Sequence, residues 1–73
     1  PDDAIVEAQS AIKLDSLVDS PHYILGVCYM EKGMNSEAIV EFEKFLANYR
    51  DRGYIRDYKV KAEEYLAQLK KTP

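Results

Sequence analysis

The sequence predicts an all-α fold of four helices. Three observations predict it. Apolar residues recur at helical spacing through most of the chain, one helical pattern occurs twice, and no stretch shows the period-2 alternation of a strand. The repeated pattern is the most specific of the three. Ala4-Ile5-Val6-Glu7 returns as Ala38-Ile39-Val40-Glu41, an offset of about 34 residues, the length of a helix-turn-helix repeat. The apolar positions stay in step beyond the four identical residues. Ala8, Ala11 and Ile12 fall opposite Phe42, Phe45 and Leu46, so each set makes one face of a helix.

The first helix is predicted from about Asp3 to Leu14, with Asp2 or Asp3 capping its positive end. Residues 15–19 form a connector. Ser20-Pro21 restarts a helix, Ser supplying the cap oxygen and Pro fitting the first turn, where an N–H is not needed. This second helix runs to Lys32 and ends at Gly33, which tolerates a left-handed conformation. Asn35 or Ser36 caps a third helix that continues to about Tyr49. Arg50-Asp51-Arg52-Gly53 interrupts the pattern, and a fourth helix follows from about Tyr54 to Lys71. Its Ile55, Tyr58, Ala62, Tyr65, Leu66 and Leu69 share one face. The second helix has almost no polar face, from His22 through Met30. It must therefore lie between the first and third helices, with further cover from the fourth or from a partner.

Composition excludes several classes of activity. The 73 residues are 47% hydrophobic and 32% charged, the balance of a single small globular domain. One cysteine, Cys28, leaves no internal disulfide, and one histidine, His22, leaves no His/Cys metal set. No catalytic residue, cofactor site or metal site is expected. His22 stands in the packing pattern, Cys28 sits where small residues pack between helices, and Gly26, Gly33 and Gly53 are too scattered for a phosphate loop. Net charge is −3, and the helix that would read a DNA groove, residues 35–49, carries Glu37, Glu41 and Glu43 against Lys44. Nucleic acid is thereby disfavoured as a partner. No apolar run reaches the roughly 20 residues of a membrane span. Opening on Pro1 without an initiator Met, the chain reads as a segment of a longer protein. Cytoplasmic placement is favoured, with an upstream export signal left open. Charge is uneven: residues 1–20 are acidic and residues 50–61 basic, which suits either solvated faces or the steering of an acidic partner.

Residues 19–52 resemble a tetratricopeptide repeat. The matching positions are Leu25-Gly26 and Tyr29 on the first helix of the pair, Gly33 at the turn, then Ala38 and Phe42 on the second. His22 stands where that family has Trp, and Arg50 where it has Pro. Gly26 and Ala38 are small enough for the helices to approach, with Leu25, Tyr29 and Phe42 filling the wedge between them. Residues 3–18 resemble the second helix of a preceding repeat, and residues 53–73 a capping helix. The resemblance implies an antiparallel helix-pair solenoid, about one and a half repeats plus a cap, within a single domain spanning 1–73.

It also implies protein or peptide binding without enzymatic activity. The family's groove positions fall on Ser20, Tyr23, Val27 and Met30, and on Tyr54, Asp57, Lys61 and Glu64 of the fourth helix. Tyr23, Val27 and Met30 make an apolar stripe suited to a hydrophobic or amphipathic segment, with Lys61 at its charged edge. The same stripe equally suits a core face. Tyr23 and Val27 replace the Lys and Asn with which some members grip a C-terminal carboxylate, so that activity is not expected. The alternative to an adaptor is a structural segment that forms homo-oligomers or packs on neighbouring repeats, since such arrays need about three repeats for stability.

Overall fold

The computed structural model describes residues 2–71, so the outermost residues of the expected 1–73 domain lie outside it. Four helices account for most of these residues: α1 (Asp2–Leu14), α2 (Ser20–Glu31), α3 (Asn35–Asn48) and α4 (Ile55–Lys71). There is no strand among the described residues. The all-α reading and all four predicted elements are therefore present, with ends shifted by a residue or two.

Successive helices run antiparallel. Asp2, opening α1, pairs with Lys32 just past the end of α2 at 3.0 Å. Tyr23, early in α2, meets Phe45, late in α3, with ring centroids 5.5 Å apart. Lys59, early in α4, lies over the ring of Tyr49 after α3, while Lys70 at its far end bonds Glu43 at 3.1 Å. As its all-round apolarity requires, α2 packs between α1 and α3, and α4 packs mainly on α3 with a lighter touch on α2.

Gly33 ends α2 as expected, at φ +78°. Its N–H donates to the Met30 carbonyl at 3.1 Å and that of Met34 to the Tyr29 carbonyl at 2.8 Å, which satisfies carbonyls the helix end would leave orphaned. Two cap assignments are corrected. Asp19, not Ser20, caps α2, its carboxylate accepting from the Ser20 N–H at 2.7 Å. α3 begins after Met34 with no side-chain cap, and Asn35 is already helical. Tyr49 closes α3 by turning to extended backbone at φ −56°, ψ 134°.

The core centres on α3. Ala38, Phe42 and Phe45 are fully buried, with Tyr23 from α2 and Ile55, Ala62, Leu66 and Leu69 from α4 around them. Gly26 permits the close approach of α2 and α3, but its neighbour differs from the expected one. A Cβ there would stand 2.6 Å from Cε1 of Phe42, not against Ala38. On the same interface His22 is buried, and its Nδ1 bonds Oε1 of Glu41 at 2.7 Å, a packed structural histidine with a partner. Cys28 is a buried free thiol.

Candidate interaction surface

The four candidate residues do not share one environment. Tyr23 is only 9% exposed and belongs to the core. Its ring stacks on Tyr58 of α4, centroids 4.6 Å apart and planes within 2°, and makes an edge-type contact with Phe42. Burial pushes its phenol pKa up to about 12, with Tyr65 and Tyr58 adding to the shift. Val27 and Met30 are half-buried, their inner sides packed against the same cluster. Lys61 is exposed on α4. Of the apolar stripe, Val27 and Met30 keep appreciable exposed surface, while Tyr23 anchors it from within.

α4 supplies what the stripe alone lacks. Tyr54, just before the helix, is 74% exposed and stands edge-on to Tyr58 at 5.7 Å and 79°. Tyr58, Lys61 and Tyr65 continue along α4 at helical spacing, the two tyrosines half-buried. An aromatic row thus crosses from α4 to α2: Tyr54 exposed, Tyr58 half-covered, Tyr23 buried. Edge-to-face and offset-stacked rings hold one another in place beyond simple area burial. The Tyr58–Tyr23 stack was invisible in sequence, where Tyr58 belongs to the packing face of one helix and Tyr23 to the groove face of another. Asp57 and Glu64, the other expected groove positions of α4, are exposed.

A second polar constellation was also missed. Asp19 is 2% exposed, yet its carboxylate has five donors, the Ser20 hydroxyl at 3.3 Å being the longest. Arg52 spans both oxygens through Nη1 and Nη2 at 2.8 Å each, and the backbone N–H groups of Ser20 and Arg50 donate at 2.7 and 3.0 Å. The Arg52 hydrogen bonds come first among the causes that hold this carboxyl well below the usual carboxylate range. The Arg50 and Ser20 N–H groups assist, against the opposing effect of burial. A cleft of about 470 Å³ opens beside the pair, between the α1–α2 and α3–α4 connectors, with Leu17 and Val18 on one side and Arg50 and Asp51 on the other. Three of its charged groups are engaged: Arg52 with Asp19, and Asp51 with Arg56 and the Tyr49 hydroxyl. The cleft is a joint between connectors.

The Asp19 geometry has a pH consequence. A carboxyl whose pKa is depressed by folding binds fewer protons than in the unfolded chain, so its stabilisation is complete above the unfolded value near 4 and fades as pH falls below it. Melting temperature is therefore expected to drop through the acid range, and Asp19→Asn, less stable at neutral pH, should converge on the parent there. Curves offset by the same amount at every pH would show that ionisation of Asp19 is not what stabilises the fold.

Among the described residues no His/Cys/Asp/Glu group could hold a metal ion, and no helix is long and apolar enough to cross a membrane. No protein-family model matches the chain, and neither a curated protein nor a solved structure matches it.

Proposed function

We propose that this chain is a non-enzymatic protein-interaction module of the tetratricopeptide kind, with residues 3–18 a half repeat, 19–52 a full repeat and 53–73 a cap. It receives an apolar or amphipathic peptide segment along the α2–α4 face. The observation that carries the reading is the exposed end of the aromatic row. Tyr54 stands 74% exposed against a half-covered Tyr58, whose ring stacks on Tyr23 at the head of the stripe that the half-buried Val27 and Met30 continue. Rigid aromatic side chains with one apolar face open are effective anchors, because they bury large area at small entropic cost. Met30 adds an adaptable surface, and Lys61 a charge at the edge. The antiparallel succession of helices and the fully buried Ala38 and Phe42 at motif positions support the same assignment.

The test is selection of a random-peptide display library on the immobilised chain. Enrichment of peptides with apolar anchors is expected, and Tyr54→Ser and Lys61→Glu, both at exposed positions, should weaken binding without altering the melt. Val27→Glu separates groove from core: a folded chain that has lost peptide binding supports the groove, whereas unfolding assigns Val27 to the core. Peptides that bind Tyr54→Ser and Lys61→Glu as well as the parent would overturn the proposal.

A further inference from the structure

We propose that the chain associates head to tail with a second copy of itself, α1 of one copy packing on the outer face of α4 of the next in the register that α3 keeps with α2. The register comes from the repeat. α1 carries the pattern of α3, and α4 follows α3 as α2 follows α1. One repeat length beyond the residues that α2 turns toward α3, α4 places Arg56 for His22, Val60 for Gly26 and Glu63 for Tyr29. All three are exposed. One repeat length before Glu41, Phe42 and Phe45, α1 places Glu7, Ala8 and Ala11. α1 packs on α2 alone, leaving Glu7 exposed and Ala4 and Ala11 half-buried.

One contact of the α2–α3 interface translates into a complementary one. The His22–Glu41 pair becomes Arg56 of one copy with Glu7 of the next, again a donor against a carboxylate. Ala8, at the position of Phe42, is already buried in its own copy, so the apolar part of the contact rests on the half-buried Ala4 and Ala11. Arg56 is already paired with Asp51, but that pair is exposed on both sides and costs little to exchange. The wider charge distribution agrees, since residues 1–20 are acidic and residues 50–61 basic. A symmetric contact of α1 with α1 would instead bring Asp2, Asp3 and Glu7 of both copies to one seam. A head-to-tail contact does not close on itself, so it adds copies in series. The alanines on α1 offer little area, and the contact is weak and salt-sensitive. The α2–α4 groove stays open in this arrangement, although α4, the cap of the single chain, then becomes an internal helix of the series.

Sedimentation velocity of the chain over a wide concentration range reads the association directly. At low salt the sedimentation coefficient should rise with concentration, and high salt should flatten the rise. Glu7→Arg and Arg56→Glu should each abolish it while leaving the melt unchanged, because both positions are exposed. An equimolar mixture of the two variants should regain it, since each reversed end then meets a reversed partner. Should a reversal disturb folding, Glu7→Gln and Arg56→Gln read the same loss. A monomer at every concentration would overturn the proposal and leave the α1 face to another occupant. So would association that both variants retain, or that their mixture fails to restore.

Discussion

A Gly26→Leu chain is expected to lose a large share of its stability. Two opposing effects decide this. Replacing a mid-helix glycine gains up to about 1 kcal/mol of helix propensity. Against this, the first added carbon would stand 2.6–2.8 Å from three atoms of the Phe42 ring, closer than carbon atoms pack. The ring cannot yield easily, because Phe42 is fully buried between α2 and α4 and a phenyl group has no flexible end. Overpacking costs about 1–3 kcal/mol, and a leucine, with three carbons beyond the offending one, belongs at or above the top of that range. A domain this small has a total stability of only about 4–10 kcal/mol. Thermal and urea melts followed by circular dichroism check the outcome. An unchanged midpoint would mean that α2 and α3 are not in this close contact.

Phe42→Ala should be at least as damaging, by the opposite route. It removes a fully buried ring that touches Tyr23 and Tyr65 and underlies Gly26. Truncations of this kind cost about 3–5 kcal/mol, the transfer loss plus the cavity left behind. The two substitutions act on one space, so their effects should not add. Gly26→Leu combined with Phe42→Ala places carbon where the ring was, and should be less destabilised than the sum of the singles by about 1 kcal/mol or more. Full additivity would show that the two residues are not neighbours. The coupling energy comes from urea midpoints of the four proteins in the cycle.

Which parts of this structure were legible in sequence follows from the range of the forces involved. Helix content depends on local spacing, and the turn at Gly33 depends on one backbone conformation, so both were read correctly. The repeat of Ala-Ile-Val-Glu marked two helices that turn corresponding residues inward, Ala8 of α1 and Phe42 of α3 both being buried. The cap of α2 was misassigned to Ser20 because what favours Asp19 is Arg52, a residue on another connector that no local pattern announces. Tyr23 was placed in a stripe with Val27 and Met30 on sound helical spacing. Spacing fixes the face of α2 on which it lies but not what covers that face, and Tyr58 of α4 covers this part of it. The exposed end of the aromatic row, at Tyr54, fell on a position named from the resemblance, while its support by Tyr58 required the tertiary structure. Glu41, the partner of His22, lies on a helix face that reads as solvated in the linear pattern.

The order of packing, each helix chiefly against its neighbours in the chain, also bears on how quickly the structure forms. Every major interface joins segments separated by one short connector, and only the light contact of α2 with α4 skips an element. Low contact order of this kind places helical domains in the microsecond-to-millisecond class, because little loop entropy is lost before contacts begin to compensate. The α2–α3 hairpin, with the tightest helix contact and its Asp19–Arg52 tie across the ends, is the natural nucleus. α1 and α4 can then add from either side without waiting for each other, so the chain has two short routes to the same end and no obligatory sequence between them.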